Sequence, residues 1–273
     1  MLQASSQQGP KFALEKHRWT PVKLSFRREI SADTRAYTFE LPPGKSTLSL
    51  STCQHLQLGF HFADKMVVRS YTPTKPVLEE EEDGTFELVL KTYYPDDNQP
   101  GGAMGNILDC VPIGKEIEVK GPIGKIEYQG NGQFMIEGKE KHFQHVTLVL
   151  RGSGITPGYQ LVAKIMKTEG DKTEVRVIDV NKTEKDILLR DAFDNLERDS
   201  NGQLTVTHVL SHPSENWKGL KGHINADIIR EHTFEPSAES VALLCGPPGM
   251  IQKAALPALR GWGYKEEENL FGF

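Results

Sequence analysis

The sequence predicts two domains, an antiparallel β-barrel followed by an α/β domain with a parallel sheet. Apolar residues alternate with period two in the first half, strand and helix patterns alternate in the second, and a polar stretch at 129–142 separates them. A chain of 273 residues is long enough for two such domains. We place the barrel at 19–135 and the α/β domain at 143–273, after a disordered or extended N-terminus at 1–18.

The predicted barrel strands are short runs in which every second residue is apolar. Val22, Leu24 and Phe26 share one face of the first run. The runs cover residues 20–26, 37–41, 55–60, 85–93 and 117–120, and a further strand ends in the motif RSYTPT at 69–74. Turns rich in proline and glycine separate them, which is typical of half-buried antiparallel strands in a small barrel or sandwich.

The second half alternates strands and helices four times. Its predicted strands are 145–150, 174–180, 204–210 and 240–245, and its predicted helices are about 157–166, 187–196, 223–231 and 249–261. The strands are compact apolar runs, which indicates a parallel sheet covered by helices on both faces. Such sheets bind ligands beyond the carboxyl ends of their strands.

The composition argues against several classes of protein. A net charge of −5 without a basic cluster argues against nucleic-acid binding. Three scattered cysteines argue against a disulfide framework or a metal site, and they favour a reducing compartment. The polar start lacks a signal peptide, and no apolar run approaches the roughly 18 residues of a membrane helix. We expect a cytoplasmic protein with no metal, membrane or nucleic-acid partner.

Two strand ends of the second domain are rich in glycine. In RGSGITPG (151–158), Gly152 and Gly154 let the backbone approach a phosphate, and the following helix offers free N–H groups. Glycines needed only for the turn are the alternative interpretation. In LLCGPPGM (243–250), Cys245 is held by a glycine and two prolines, although a buried cysteine at a strand end is usually inert. Two such ends in one sheet predict a ligand site.

The motif RSYTPT at 69–74 has two interpretations when it is taken alone. In one, Pro73 ends a strand and Arg69 is a solvated charge. In the other, the order of guanidinium, aromatic ring and hydroxyl serves a ligand.

Taken together, these motifs resemble those of the ferredoxin–NADP reductase superfamily. They are RSYTP at 69–73, GSGITP at 152–157 and CGPPGM at 245–250, supported by GGAM at 101–104, VKGPIGKIEY at 119–128 and NKTEKDILLR at 181–190. The cytochrome b5 reductase branch is most similar, in particular the FAD/NAD(P)H module of eukaryotic assimilatory nitrate reductases. The ending ENLFGF and the segment 66–100 resemble fungal more than plant enzymes.

The resemblance implies an FAD site in the barrel. Tyr71 would stack on the isoalloxazine ring, Thr72 would bond to its polar edge and Arg69 would face the pyrophosphate. The FAD-binding residues that it implies are Arg69, Ser70, Tyr71, Thr72, Val89, Leu90, Lys91, Tyr93, Gly102, Met104, Gly105 and Asn106. Position 105 departs from the usual serine, so Gly105 would make only a backbone contact.

The resemblance also implies a nicotinamide nucleotide site in the second domain. Its residues are Gly152, Ser153, Gly154, Thr156, Cys245, Gly246, Pro247, Met250 and Phe273, and the catalytic residues are Cys245, Thr156 and Tyr71. Cys245 would position the nicotinamide carbon that gives up hydride and would not act as a nucleophile. Phe273 would shield the flavin or simply end the last strand as a core aromatic. Arg151 stands where relatives have a small residue, and it would either aid or crowd the nucleotide.

The implied function is transfer of hydride from NAD(P)H to FAD and of single electrons to a haem acceptor. The acceptor would be the cytochrome-b5-like haem domain of the same full-length enzyme, whose His-Pro-Gly-Gly signature this chain lacks. The alternatives are a free-standing cytochrome b5 reductase and a non-catalytic nucleotide-binding module. The choice of NADPH or NADH is open, because Asp186 resembles NADH-preferring reductases whereas Lys182, Lys185 and Arg190 suit NADPH, which the fungal resemblance favours.

Overall fold

The chain folds as two compact units. The computed structural model describes residues 12–62, 64–95, 97 and 100–273. The first unit comprises the described part of Met1–Ser51 together with His55–Ile123, and the second comprises Thr52–Gln54 together with Gly124–Phe273. The first is antiparallel and the second has a parallel sheet, so the predicted fold class is confirmed. The change of unit at 123–124 comes earlier than the predicted end of the barrel at 135.

The first unit is a six-stranded antiparallel sheet that closes into a barrel. Its elements are β1 (Thr20–Glu29), β2 (Thr34–Glu40), β3 (His55–Phe62), β4 (Lys65–Tyr71), β5 (Thr85–Lys91), α1 (Ala103–Cys110) and β6 (Glu116–Ile123). The strand order is β4-β3-β6-β1-β2-β5, so β4 and β5 are the two edges. The chain beyond β4 joins these edges, because Thr74 N–H donates to Glu87 O at 2.8 Å and Glu87 N–H donates to Lys75 O at 3.0 Å.

Alternation along the strands buries one face of the first sheet as its core. Phe39 and Phe86 stack there with ring centroids 5.1 Å apart. Part of the segment 1–18, predicted to be disordered or extended, packs on this core. Ala13 N–H donates to Thr47 O at 2.9 Å, and Leu14 is buried. Residues 1–11 lie outside the described residues.

A three-stranded antiparallel sheet occupies the stretch that the sequence presents as a polar boundary. It consists of β7 (Ile126–Gly130), β8 (Gln133–Ile136) and β9 (Lys139–His142). Two-residue turns connect the strands, Asn131-Gly132 and Glu137-Gly138, in which all four residues have positive φ. Such turns match the twist of a hairpin, so the Asn-Gly pair was a usable signal.

The second unit contains a six-stranded parallel sheet with helices on both faces. Its elements are β10 (His145–Arg151), α2 (Ile155–Lys167), β11 (Glu174–Asn181), α3 (Arg190–Asp199), β12 (Leu204–Leu210), β13 (Leu220–Lys221), α4 (Ala226–His232), β14 (Ser240–Cys245), α5 (Pro248–Met250), α6 (Leu256–Trp262) and β15 (Leu270–Gly272). The strand order is β13-β12-β11-β10-β14-β15. One core lies on the side of α2 and α3, and the other lies on the side of α4 and α6.

Three residues from between the barrel strands belong to the second unit. Cys53 is buried in the α2-side core, and its N–H donates to the buried Gln160 Oε1 at 2.7 Å. Thr52 O accepts from Tyr128 N–H at 3.0 Å, and the Gln54 amide donates to Glu127 Oε1 at 3.1 Å. The second unit is therefore completed by a piece of chain that precedes β3.

The described residues contain no group of three or more His, Cys, Asp and Glu side chains placed to hold a metal ion. None of the helices in this part of the chain is long and apolar enough to cross a membrane.

Candidate functional site

The end of β4 presents the side chains of the RSYT motif in succession. Arg69 and Ser70 are exposed, Tyr71 is partly buried against the barrel core, and Thr72 is buried. The Arg69 guanidinium donates to Val68 O at 2.7 Å. Burial raises the pKa of Tyr71 to about 12 although the charge of Arg69 lowers it, so the phenol is neutral at pH 7. The edge strand thus carries a cation, an aromatic ring and a hydroxyl within four residues.

The end of β5 contributes mainly backbone. The side chains of Val89 and Leu90 are buried, so only their peptide groups can reach a ligand. The peptide groups of Glu87 bond to the segment beyond β4. Because alternate residues of a strand present their peptide groups to the same side, those of Val89 and Lys91 face that segment too. The Lys91 ammonium pairs with Asp33 at 3.0 Å, and Tyr93 is 53% exposed.

The loop before α1 is shaped by backbone contacts that only glycine permits. Gly101 has φ 78°, and a Cβ there would lie 2.7 Å from both Pro95 N and Tyr93 O. Gly102 N–H donates to Tyr93 O at 2.7 Å, and the Asn106 amide donates to Gly102 O at 2.6 Å. Because Gly102 has no side chain to cap α1, the first-turn N–H groups are available to an anion.

The first turn of α1 also explains the departure at position 105. A Cβ on Gly105 would lie 3.1 Å from Thr92 Cα and 3.2 Å from Thr92 Oγ1, so a serine there would crowd the chain that follows β5. Met104 is 1% exposed and fills the barrel core, which leaves only its peptide group for a ligand. α1 lies against β4, so the structure brings the helix start and the RSYT motif into one region of the first unit.

A charged cluster that sequence reasoning missed holds the other end of α1. Asp109 accepts from Tyr37 Oη at 2.5 Å and Tyr94 Oη at 2.7 Å, and it pairs with Arg35 at 3.3 Å. Burial alone would raise the pKa of Asp109, but these hydrogen bonds and the charge of Arg35 outweigh it and hold the pKa below its usual value. Arg27 donates to the last carbonyls of the helix, Leu108 O at 2.6 Å and Val111 O at 2.5 Å. The helix is therefore fixed at both ends.

These groups suit a ligand that has both a flat ring and a pyrophosphate. The exposed guanidinium of Arg69 and the free N–H groups of α1 are donors for phosphate oxygens. Tyr71 offers a neutral aromatic wall on the same strand. The donor set of the first unit thus fits FAD.

In the second unit, the two glycine-rich strand ends touch. β10 and β14 are adjacent and in register, with Leu150 opposite Cys245. A Cβ on Gly154 would lie 2.6 Å from Cys245 O and 3.1 Å from Cys245 Sγ. Only glycine at 154 lets the turn after β10 lie this close to the end of β14, so Gly154 and Cys245 form one contact.

The turn after β10 leads directly into α2. Gly152 has φ 55°, and Gly152–Gly154 form a single 3₁₀ turn. Thr156 is buried in the first turn of α2, and its Oγ1 donates to Ser153 O at 3.2 Å, while Ser153 itself is exposed. The helix start has no side-chain cap, but Ile155 N–H already donates to Gly152 O and Ser153 O, and Pro157 has no N–H. The donors left for a phosphate are the other N–H groups of this turn and of the helix start.

Burial raises the pKa of the Cys245 thiol to about 11. A thiol with this pKa is neutral at physiological pH, which argues against a thiolate nucleophile there. Gly246 follows, and a Cβ on it would lie 3.1 Å from Arg151 Cβ and 2.9 Å from Met250 Cε. The bulk of Arg151 is thus accommodated because residue 246 has no side chain.

The remaining predicted residues of this site divide into exposed and packed ones. Pro247 is exposed, whereas Met250 is 6% exposed and belongs to the core on the α4 side. Phe273 N–H donates to Leu244 O at 3.1 Å, and its ring is partly buried against the α2-side core. That packing agrees with the interpretation of Phe273 as a core aromatic, while shielding of a flavin stays a prediction.

The acidic side chains of the segment 181–186 are engaged locally. Asp186 accepts from Thr183 N–H at 2.9 Å and from Thr183 Oγ1 at 2.7 Å. Glu184 accepts from Ser214 N–H at 3.0 Å and from Ser214 Oγ at 2.5 Å, and the Ser214 hydroxyl holds the pKa of Glu184 below its usual value. Both carboxylates are thus held by hydrogen bonds at this edge of the sheet.

Two models of known families match the chain. A model described as an oxidoreductase FAD-binding domain matches residues 21–128, and one described as an oxidoreductase NAD-binding domain matches residues 148–255. Among solved structures, the cytochrome b5 reductase domain of Ulva prolifera nitrate reductase superposes with a TM-score of 0.91 at 30% identity, covering 96% of this chain and 99% of that one.

Curated relatives include two kinds of enzyme. Nitrate reductase (NADH) of Solanum lycopersicum is 40% identical over 257 residues, which is 93% of this chain but 28% of that protein. NADH-cytochrome b5 reductase 2 of Danio rerio is 37% identical over 262 residues, which is 93% of this chain and 84% of that protein. The fungal affinity predicted from ENLFGF and the segment 66–100 is not borne out, since nitrate reductases of plants such as Solanum lycopersicum, Nicotiana tabacum and Arabidopsis thaliana are among the relatives. The chain spans 28% of the length of those nitrate reductases.

Proposed function

Because the chain belongs to the cytochrome b5 reductase family of FAD- and NAD-binding oxidoreductases, we propose that it is the flavin module of a nitrate reductase. The module takes hydride from a nicotinamide nucleotide onto FAD and passes electrons singly to a haem acceptor. In the proposed full-length enzyme, that acceptor is a cytochrome-b5-like haem domain of the same chain.

The contact between Gly154 and Cys245 is the observation that carries this proposal. It joins a phosphate-type turn, at the start of α2, to the end of the adjacent strand β14. A dinucleotide with its pyrophosphate at the turn has its reacting half beside Cys245. The match of both halves of the chain to FAD- and NAD-binding domains supports the same assignment.

Bound FAD supplies the chemistry that converts a two-electron donor into one-electron steps. The residues that would hold it are Arg69 and the first-turn N–H groups of α1 at the pyrophosphate, with Tyr71 and Thr72 at the ring. Their part is binding and orientation, since a neutral tyrosine and a hydroxyl neither accept nor give up hydride.

Cys245 acts by position. Its neutral thiol packs at the end of β14 and sets where a nicotinamide ring can lie. Good orientation of the reacting atoms contributes several kcal/mol to a transfer of this kind. Thr156, tied to Ser153 O, orients the start of α2 beside the same turn.

We propose NADH as the preferred donor. Glu184 and Asp186 lie beside the end of β11, where the ribose 2′ position lies in sheets of this type and where an acidic group favours a 2′-hydroxyl. Lys182, Lys185 and Arg190 stand in the same stretch and favour a 2′-phosphate, so the choice depends on the relatives. The relatives named above are called NADH enzymes, which supports NADH over NADPH, the donor that the fungal resemblance favoured.

A free-standing cytochrome b5 reductase is the second candidate, favoured by the Danio rerio relative that this chain matches over 84% of its length. The test uses the chain reconstituted with FAD and reduced anaerobically by NADH or NADPH in a stopped-flow instrument. We expect one bound flavin per chain, rapid reduction and a larger kcat/KM for NADH. A chain that takes up no FAD contradicts the proposal. Equal turnover with a nitrate reductase haem domain and with unrelated cytochrome b5 favours the free-standing enzyme.

A further inference from the structure

The strand order of the second unit fixes the direction in which a bound dinucleotide continues. The glycine turn follows β10, and Cys245 ends β14 on one side of it. On the other side lie β11 and then β12. A dinucleotide with its nicotinamide at β14 and its pyrophosphate at the turn must therefore extend its adenosine half over the ends of β11 and β12. Two strand spacings amount to ~10 Å, which suits that half of the molecule.

An aromatic residue stands where this path ends. Trp217 lies in the loop after β12 and is only partly buried. The guanidinium of Arg190, the first residue of α3, lies over its ring at 5.5 Å from the centroid. The Trp217 Nε1–H donates to Leu220 O at 3.0 Å, and a Cβ on Gly219 would lie 2.6 Å from the indole. The ring is thus fixed in place, and Gly219 makes room for it.

The two loops that frame Trp217 are bonded to each other. Ser211 N–H donates to Asn181 O at 3.1 Å, and His212 N–H donates to Lys182 O at 2.7 Å. Glu184 accepts from Ser214 N–H at 3.0 Å. These three bonds join the chain after β12 to the chain after β11, so the loop that carries Trp217 is held at the carboxyl edge of the sheet.

A buried polar pair supports the ring from below. His208 and Asp179 are opposite each other on β12 and β11, and His208 Nδ1 lies 3.0 Å from Asp179 Oδ2. The His208 ring meets the edge of the Trp217 indole with centroids 6.4 Å apart. Burying a carboxylate at 1% exposure is unfavourable unless it is paired, and here the pairing orients an imidazole against the indole.

Resting on the proposed function, we propose that Trp217 and Arg190 form the subsite for the adenosine half of the nicotinamide nucleotide. Trp217 provides the surface on which adenine stacks, and Arg190 holds the indole through its guanidinium and adds cation–π attraction to the base. His208, oriented by Asp179, is a positioning residue that acts through Trp217. None of these groups touches the nicotinamide, so they set affinity and leave the hydride step unchanged.

The experiment measures binding of AMP and of nicotinamide mononucleotide to the full chain by calorimetry, together with stopped-flow flavin reduction by NADH. Trp217→Ala should weaken AMP binding by roughly tenfold or more, since stacking of a base on an aromatic ring is worth that much. It should raise the apparent Kd of NADH similarly, while nicotinamide mononucleotide affinity and the limiting reduction rate stay at the parental values. Trp217→Phe should recover most of the loss. Trp262→Phe, on α6 against Tyr264, is the matched control and should change neither AMP nor NADH affinity.

If Trp217→Ala fails to fold, Arg190→Gln takes its place and should weaken AMP binding several-fold. Equal AMP affinity in the parent and in the folded variant overturns the subsite, as does a parent that does not bind AMP. A parent that binds AMP through Trp217 but does not reduce flavin overturns the proposed function and leaves the subsite standing.

Discussion

The two candidate half-sites recognise their ligands in different ways. In the first unit, the groups offered to a ligand include side chains on an edge strand, where Arg69 and Ser70 are exposed, together with peptide groups of β5 and of the start of α1. In the second, they are peptide groups in the turn after β10. A Cβ added to Gly154 in that turn would overlap the carbonyl group of Cys245. The first half-site thus presents exposed side chains that the second lacks at its turn, and the second depends on close backbone packing.

This difference predicts how each half-site responds to substitution. A side chain on an exposed strand can be removed without moving the backbone, so the effect falls on ligand affinity. A side chain added in a packed turn displaces the backbone, so the effect falls on the fold and on the ligand together.

The largest effect is expected for Gly154→Ala. Its methyl group would lie 2.6 Å from Cys245 O and 2.8 Å from Cys245 C, so the turn and the end of β14 must separate. We expect a loss of about 1–3 kcal/mol in the free energy of unfolding and no measurable NADH binding. Denaturant titration and calorimetry check both. Gly261→Ala is the control, because nothing lies within 4 Å of its added Cβ. An alanine at 154 that binds NADH normally contradicts the packing.

Cys245→Ser is expected to act on rate. Serine is smaller and more polar, so the nicotinamide should lie slightly off its line to the flavin, and the limiting rate of flavin reduction should fall by up to about a hundredfold. FAD content, the unfolding midpoint and KM should change little. Stopped-flow reduction isolates this step. A serine variant that reduces flavin at the parental rate would make Cys245 a strand residue only, and a folded variant without any activity would indicate covalent or acid–base chemistry.

Arg69→Ala tests the half-site of the first unit, where removal of an exposed side chain should affect ligand affinity and not the fold. Because the guanidinium is exposed, its removal should leave stability unchanged and weaken FAD binding by about ten- to a hundredfold, as expected for a charged hydrogen bond. The Kd of FAD for apoprotein, measured by fluorescence quenching, checks this. Lys65→Ala removes another exposed cation from the same strand and should leave FAD affinity unchanged. If both variants bind FAD as the parent does, the pyrophosphate lies elsewhere.

The smallest effect concerns pH. The pKa of the Cys245 thiol is raised from 9.0 to about 11 by burial. As the pH rises, the thiol therefore ionises at a lower pH in the unfolded chain than in the folded protein. The corresponding stability is fully present below pH 9 and is lost between about pH 9 and 11. Cys245→Ser should therefore reduce the decline in stability over that interval, and neither form should show a thiol-dependent change in flavin reduction between pH 6 and 8. A thiol titration near neutrality would refute the buried, neutral assignment.

The sequence predicts what depends on local pattern. The alternation around Leu24, Phe39 and Phe86 marks a barrel core, and the compact runs ending at Leu150 and Cys245 mark strands of one parallel sheet. The glycine turns were visible because glycine is needed wherever φ is positive or another backbone lies close.

What escaped prediction depends on contacts between residues far apart in the chain. Asp109 joins Tyr37 and Arg35, some seventy residues away, and nothing in its own neighbourhood indicates them. The hairpins of β7–β9 were missed because the strands are only four or five residues long and β9, with the sequence KEKH, buries none of its residues. Trp217 carried a signal, a lone indole two residues before a glycine, but its partners Arg190 and His208 become visible only in the fold.

The three residues Thr52–Gln54 mean that no single cut divides this chain into its two units. A fragment that starts at 124 lacks Cys53 and leaves the buried Gln160 Oε1 without the N–H that it accepts. An unsatisfied buried acceptor costs about 1–3 kcal/mol, before the lost packing of the thiol is added. A fragment that starts at 52 keeps the bond but carries the barrel strands with it. Anyone who wishes to express the nucleotide unit alone must therefore supply this tripeptide in trans or graft it, and its omission would be misread as intrinsic instability of the unit.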